Sequence, residues 1–501
     1  MLIDGPITPA PPPAAADPLP DTRPYTLAAA FLRSHEYARV VARVGPNGHD
    51  VFAVAAATGL RHWREEFYRF EACVYRRMVT EELVADVTTF LNDQTAFGGR
   101  DQRVAALRVT RALVGDVVAQ LRALCQVRTE SMPLWLTDAP RPDAEDVIAF
   151  RNGLLSIEGW IADRDHPLLK PTHEWFSEIV MPYDWTAGAR CDRWLAFLRE
   201  SLVDAQLVDV LQEFFGYCLT NSTRHQKLLW MHGVSGAGKS TVANVLKNVV
   251  GARNTTNFEL WDLLGQFTLS SFVGKRVAIA ADAAIGQGHD AEKILAKIKG
   301  ISGEDGQLVD RKNREMLSTV LSVRLVISTN EFPNLPDTAD ALARRTLFLP
   351  FNRSFVGVHD PGLGDALADE TPGITAWALA GLVRLLGRGR FADAAASAET
   401  QNEFKRLQSA VYAFVQDCCG HEDYDEKRRT GQTGTADLFR AYKAWCKQNE
   451  KHPMSRDRFC SRMRAAAPYA HRARLGTGTD REYAYRNIVL KPEWVHVPDL
   501  P

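Results

Sequence analysis

Between Leu228 and Val249 the chain runs through a short apolar stretch, a glycine-rich octapeptide and an apolar pattern at helical spacing. The octapeptide, Gly233-Val234-Ser235-Gly236-Ala237-Gly238-Lys239-Ser240, matches G-x-x-x-x-G-K-[ST]. Leu228-Leu229-Trp230-Met231-His232 reads as a buried strand entering it, and Val242, Val245, Leu246 and Val249 as the buried face of the helix leaving it. No other feature restricts the fold as much, because strand, tight loop and helix in that order begin an α/β core. The glycines let the backbone curl, so that amides from Gly233 through Ser235, Gly236, Ala237 and Gly238 turn inward toward phosphate oxygens. The helix N-terminus adds its partial positive charge. Lys239 supplies a point charge for the terminal phosphates, Ser240 offers a hydroxyl to Mg²⁺, and Thr241 adds a second hydroxyl nearby. The expected ligands are ATP and Mg²⁺.

A phosphate loop that hydrolyses ATP needs a metal carboxylate, a water-positioning group and charge for the transition state. Val277-Ala278-Ile279-Ala280-Ala281 reads as a buried strand ending at Asp282, which is expected to hold the metal at the end of a strand adjoining the loop. A third strand, Val323 to Ile327, leads into Ser328-Thr329-Asn330, and the Asn330 amide is placed to orient the attacking water. Arg344 and Arg345 precede the apolar run Leu347 to Phe351, and either guanidinium is a candidate arginine finger for a neighbouring subunit.

Between the second and third strands, Leu308 and Val309 lie before a charged segment, with Met316, Leu317 and Val320 after it. This reads as a hairpin carrying Arg311, Lys312 and Arg314 at its tip, suited to gripping a phosphate backbone. The same residues also fit a solvated loop balanced by Asp310 and Glu315. Near the C-terminus, amphipathic Ala436 to Asn449 and basic Arg456 to Ala467 read as two helices, the second carrying Arg458 and Arg462. A hairpin with Gly476 to Asp480 at its tip follows, and the whole of 430–501 has a winged-helix pattern. Such a module reads DNA or binds protein.

The remaining stretches set the boundaries. Residues 1–24 are rich in Pro and Ala and read as a disordered tail. Residues 25–190 read as mainly helical, with a hairpin near 147–160 turning at Asn152-Gly153, and 191–226 as a helical collar in which 194–219 forms helix. Residues 227–352 form the α/β core and 353–420 a helical lid and linker. With 501 residues, several such domains are expected. The net charge of −1 gives no global field for nucleic acid, so DNA contacts must come from local basic patches. The eight cysteines show no zinc spacing and read as buried thiols. No signal peptide or membrane span is recognisable, so a cytoplasmic protein without membrane partners is expected.

Taken together, these segments resemble superfamily 3 helicases, in particular the C-terminal helicase half of phage and plasmid primase-helicases, a group related to poxvirus primase-helicases. The resemblance is carried by Ala149-Phe150-Arg151-Asn152-Gly153-Leu154-Leu155, Gly233 to Thr241, Gly274 to Asp282, Lys299 to Arg314, Ser328 to Pro333 and Asp340 to Phe351. It implies an AAA+-type core with a parallel sheet, a homo-hexameric ring on single-stranded and forked DNA, and 3′-to-5′ unwinding in a bacterial host cell. It places the metal carboxylate on Asp282, the sensor on Asn330, the finger on Arg345 and DNA contacts on Lys312 and its neighbours. Asp282 stands where the family usually has Glu, and Glu304 replaces a glycine before Asp305. No zinc knuckle of a primase is found, so primer synthesis is expected from a separate primase or polymerase. Two other readings use the same nucleotide machinery: an AAA+ ATPase that loads or remodels replication proteins, and an origin-binding initiator switched by ATP.

Overall fold

The computed structural model describes residues 19, 21–35, 38–44, 50–98, 103–129, 131–281, 289–312, 314–333, 340–357, 360–428, 430–475 and 482–498. Asp282, most of the segment 1–24 and the tip 476–480 of the last hairpin therefore lie outside the described residues. The chain divides into two compact units, 1–185 and 186–501.

The first unit is not mainly helical. Helices Pro24–Ser34, Thr80–Asn92 and Arg111–Leu124 pack around Phe31, Phe67, Leu91, Val117 and Leu121, but strands fill much of the rest. Leu60–Trp63, Glu66–Glu71 and Val74–Met78 form a three-stranded antiparallel sheet. Its first turn places Arg64 and Glu65 at φ 49° and 67° between paired Trp63 and Glu66. That left-handed turn normally carries Asn or Gly, so the sequence hides it. Val147–Phe150 pairs with Gly153–Ser156, and Gly153 stands opposite Phe150. The turn is thus Arg151-Asn152, one residue earlier than the Asn-Gly pair suggests, and helix Ile157–Ala162 follows it.

The second unit opens with helices α1 (Asp192–Ser201) and α2 (Ala205–Leu219). The single helix expected over 194–219 breaks because the Asp204 carboxylate accepts from the Gln206 amide at 2.8 Å and starts a new helix. Then come β1 (Leu228–Gly233), α3 (Lys239–Val250), β2 (Thr255–Asn257) and β3 (Val277–Ala280). Helix α4 (His289–Ser302) leads to the hairpin β4 (Gln307–Val309) and β5 (Leu317–Thr319), and then β6 (Arg324–Thr329), α5 (Asp340–Arg345) and β7 (Thr346–Phe351).

Five of these strands form one parallel sheet in the order β2-β3-β6-β1-β7. Strand β3 does not neighbour the phosphate-loop strand β1, because β6 lies between them. All six residues of β6 are buried, so this strand takes a central position. The core beneath gathers Leu228, Trp230, Ala278, Ile298, Ile327 and Phe348.

Four helices follow: α6 (Leu363–Asp369), α7 (Thr371–Arg388), α8 (Ala395–Gln408) and α9 (Ala410–Cys418). Helix α7 lies hard against α2, where a Cβ on Gly216 would come within 2.4 Å of the Ala378 carbonyl. Only glycine permits that approach. Buried Glu213 accepts from Arg388 Nη2 at 2.6 Å and the Ala392 amide at 2.8 Å, pinning the far end of α7. Then come β8 (Gln432–Gly434), α10 (Thr435–Gln448), α11 (Arg456–Ala466), β9 (His471–Leu475) and β10 (Glu482–Arg486), followed by a short strand, Val489–Leu490, and a helical turn, Pro492–Val495. Strands β8, β10 and β9 pair antiparallel in that order over a core of Leu438, Tyr442, Phe459, Met463 and Tyr485. Among the described residues no helix is long and apolar enough to cross a membrane.

Candidate nucleotide site and basic hairpin

The loop between β1 and α3 holds its shape through three glycines at positive φ: Gly233 at 141°, Gly236 at 69° and Gly238 at 95°. Each is also crowded. A Cβ would sit 2.1 Å from the Phe351 carbonyl at Gly233, 2.7 Å from Val356 Cγ2 at Gly236, and 2.8 Å from Phe197 Cζ at Gly238. The chain beyond β7 braces the loop from outside. Phe351 accepts from the Val234 amide at 3.1 Å, the Phe355 amide donates to the Gly236 carbonyl at 2.9 Å, and Ser354 Oγ donates to the Ser235 carbonyl at 3.1 Å.

Lys239 opens α3 and is buried. Its ammonium donates to the carbonyls of Gly233 (2.7 Å) and Val234 (2.8 Å) and to Asn330 Oδ1 (2.9 Å). The last bond ties the loop to the end of β6. Ala237 is buried, whereas Ser240 is exposed on the first turn of α3 and Thr241 half-buried beside it. The fold therefore brings together Ser235, Gly236, Ala237, Gly238, Lys239, Ser240, Thr241 and Asn330 around one cavity of about 1520 Å³, with Gly233 behind its lining at the end of β1. That cavity opens at the C-terminal ends of parallel strands, where α/β sheets place ligands.

The fit to a triphosphate is supported by the glycine cradle that a Cβ would fill, a lysine at its mouth and a helix N-terminus behind it. Asp282 follows β3 by two residues. Ala281, its neighbour, lines the cavity. Two carboxylates not singled out in the sequence, Glu259 and Asp262, line it as well. Asp262 accepts from the Glu259 amide at 2.8 Å, capping a short helical turn over Leu260–Leu264. Among the described residues no cluster of three or more His, Cys, Asp or Glu can hold a metal by itself. On the opposite wall are Phe197 and Arg193 of α1, with Asp360 3.8 Å from Arg193.

An aromatic stack that the sequence reading missed sets the Asn330 position. His232 lies flat on Phe332 with ring centroids 3.8 Å apart, and Phe332 also meets Trp230, Phe348 and Phe404. Trp230 Nε1 donates to Thr329 Oγ1 at 2.9 Å, locking β1 to β6 one residue before Asn330. Burial pushes the His232 pKa down, and Lys239 pushes the same way against Glu403 and Glu331. The visible signal is the alternation Trp230-Met231-His232 leading into the loop.

Arg344 and Arg345 stand at the other end of the sheet. Leu228 pairs with Thr346 and Gly233 with Phe351, so the arginines sit level with the start of β1. Five strand steps separate that level from the loop, about 17 Å, which no arginine side chain spans. Arg345 is half-buried, and its Nη1 donates to the Lys299 carbonyl at 2.7 Å, capping the end of α4. Arg344 is exposed.

In the hairpin, Lys312 and Arg314 are exposed. Arg311 instead donates from Nε and Nη2 to the Glu315 carbonyl at 3.2 and 3.1 Å, closing the loop. Leu308 and Met316 are 65% and 64% exposed, so the hairpin offers apolar as well as basic surface. Glu304, at its base, has φ 62°, which explains why glycine suits that position. Its carboxylate accepts from Thr223 Oγ1 and faces Gln226 Nε2 at 3.5 Å. On α11, Arg458 is exposed. Arg462 is half-buried, and lies near enough to Lys299 to help burial lower that lysine's pKa, together with Arg345.

Residues 231–345 match a protein family described as "Family of unknown function (DUF5906)". No curated protein sequence matches the chain. Among solved structures, "The apo structure of NrS-1 C terminal region (305-718)" aligns over 93% of this chain and 100% of its own. Its TM-score is 0.48 and its identity 9%. "The A form apo structure of NrS-1 C terminal region-CTR" aligns over 68% of this chain and 95% of its own, with TM-score 0.41 and 11% identity.

Proposed function

We propose that the chain is an ATP-hydrolysing DNA motor, a ring-forming superfamily 3 helicase of a phage or plasmid replication system. The observation that carries this reading is the bond from Lys239 to Asn330. It joins the phosphate loop to the end of a strand that begins just after the basic hairpin. The strand order 2-3-4-1-5 within the five-stranded sheet (β2-β3-β6-β1-β7) supports an AAA+-type core. The loop amides and Lys239 would hold the phosphates of ATP, and Ser240 and Asp282 would hold Mg²⁺, which would supply charge neutralisation there. Asn330 orients the attacking water. The arginine pair acts on the nucleotide of a neighbouring copy. Lys312 and Arg314, with Arg311 holding their loop, grip the phosphate backbone of single-stranded or forked DNA, and translocation runs 3′ to 5′. The C-terminal module, two helices and a three-stranded sheet, is a winged helix whose Arg458 and Arg462 add DNA contacts. A separate primase or polymerase supplies primers.

The test is strand displacement on a 3′-tailed fork with ATP. Wild-type protein is expected to unwind it, and Lys239→Ala and Lys312→Ala each to abolish unwinding. Hydrolysis that ignores DNA, with no displacement at either polarity, would instead support a loader or remodeller.

A further inference from the structure

Helix α1 presents one face to the phosphate-loop cavity and another to the protein interior. Arg193, Ala196, Phe197 and Glu200 recur at helical spacing, and all four line the cavity. Trp194, Leu198 and Ser201 lie on the adjoining face and are buried. The Trp194 ring stacks on Phe197 with centroids 5.6 Å apart, and meets Phe215 of α2 at 5.7 Å and Trp377 of α7 at 5.6 Å. At the loop, a Cβ on Gly238 would come 2.8 Å from Phe197 Cζ and 3.3 Å from Ser201 Oγ. Helix α1 is therefore a cavity wall in contact with the phosphate loop, and its placement sets how wide the cavity stands.

The first turn of α1 is not capped from within. Its N-cap residue, Cys191, makes no side-chain bond to the free amides there. Those bonds come from Glu370, distant in sequence. One carboxylate oxygen accepts from the Arg193 amide and the other from the Trp194 amide, each at 2.9 Å. A negative group at that end also complements the helix dipole. Glu370 is the single residue between α6 and α7. Leu363, Gly364 and Leu367 of α6 line the same cavity, so one carboxylate ties together two helices that enclose it. In the first turn of α7, a Cβ on Gly373 would sit 1.9 Å from the Arg190 carbonyl oxygen, so the chain entering α1 is pressed directly onto α7.

We infer that Glu370 is a positioning residue for the nucleotide. By capping α1 from the α6–α7 junction, it holds the wall of Arg193 and Phe197 at the separation from the phosphate loop that a whole nucleotide requires. Glu370 does not itself line the cavity. The loop is braced separately, by Phe351, Ser354 and Phe355, so loss of the cap releases the wall and leaves the phosphate end intact. The inference rests on the proposed function for the identity of the ligand.

The experiment measures the affinity of the full chain, with Mg²⁺, for a fluorescent ATP analogue and for tripolyphosphate. Tripolyphosphate competes for the loop but has no nucleoside to meet the wall. Steady-state hydrolysis is followed on the same proteins. Glu370→Ala should weaken analogue binding and raise KM about 5- to 10-fold, because the undocked fraction of α1 scales the apparent affinity. Its kcat should stay within about 2-fold of wild type, and its tripolyphosphate affinity should match wild type. Glu370→Gln, which keeps an oxygen acceptor for one amide, should fall between the two. If Glu370→Ala does not melt cooperatively, Glu370→Gln carries the test with an expected loss of about 2- to 3-fold. Analogue binding unchanged in the variant tested, equal loss of both ligands, or a fall in kcat at unchanged KM overturns the inference. A wild-type chain that binds neither ligand overturns the proposed function, and this inference with it.

Discussion

The arginine pair gives the sharpest prediction, because the fold separates two roles that the sequence leaves merged. Arg345 bonds the Lys299 carbonyl within its own chain, whereas Arg344 is exposed. Removing Arg345 deletes one charge-assisted hydrogen bond, worth at most ~1.5–3 kcal/mol and closer to 1 at this half-exposed position. Arg345→Ala should therefore lower the melting temperature by a few degrees. Neither side chain spans the roughly 17 Å to its own phosphate loop, so any effect on chemistry arises in trans. For an arginine finger that effect is about 10³–10⁵ in turnover, or ~4–7 kcal/mol. Arg344→Ala should thus lose turnover by a factor of that order with unchanged nucleotide affinity. Mixing it with Lys239→Ala protein should restore part of the activity, since each copy supplies what the other lacks. Steady-state ATPase assays, melting curves and mixing ratios decide the matter. If Arg345→Ala abolishes turnover without changing stability, while Arg344→Ala remains active, the assignment from exposure is wrong. Mixtures that show no recovery would refute action in trans for either residue.

Asn330→Ala should reduce kcat by about 10²–10³, as loss of a group aligned on the transition state does, with analogue affinity changed less than ~3-fold. Equal losses in both would make Asn330 a binding residue. Burial lowers the pKa of His232, as it does for His173 and His225, so the unfolded chain takes up protons first. Stability should hold above the unfolded value of about 6.5 and fall as pH drops below it. His232→Phe, which keeps the stack on Phe332, should flatten that fall in melting experiments from pH 7 to 5. Arg276 is buried with Nε unbonded, and burial, with Arg324 beside it, pushes its pKa well down. Arg276→Met should be neutral or stabilising by about 1–4 kcal/mol in chemical denaturation; a loss of several kcal/mol would mean this guanidinium has an essential anionic partner.

The sequence makes legible those features where one local pattern has one physical solution. The glycines of 233–238 are needed both for positive φ and for close approach, so the loop announces itself. The hairpin around Arg311 to Arg314 is flagged by apolar pairs on either side of a charged segment. What stays hidden depends on long-range neighbours. Nothing local tells that β6 separates β1 from β3, that Arg345 caps α4, or that Glu259 and Asp262 line the phosphate-loop cavity. The strands of the first unit are missed for another reason. Arg64 and Glu65 adopt left-handed φ without the residues that usually mark such a turn, and tertiary packing of Trp63, Phe67 and Tyr68 overrides the local preference.

Strand β6 links the two halves of the proposed function, and its construction makes the link testable. The hairpin strand β5 ends at Thr319, five residues before Arg324, and all six residues of β6 are buried between β1 and β3. At its far end Thr329 takes the Trp230 indole and Asn330 takes Lys239. A packed central strand does not bend independently at its two ends, because its neighbours fix its register. Movement of Asn330 as Lys239 exchanges loop carbonyls for phosphate should therefore be felt at Lys312, and DNA at Lys312 should be felt at Asn330. Lys312→Ala and Asn330→Ala lie in no direct contact, so independent action predicts that their effects on DNA-stimulated hydrolysis add as free energies to within about 0.5 kcal/mol. Coupling through β6 predicts that the double variant loses much less than that sum, because either change alone already disconnects the hairpin from the Asn330 amide. Simple additivity in this cycle would mean that the hairpin reaches the nucleotide by some route other than this strand.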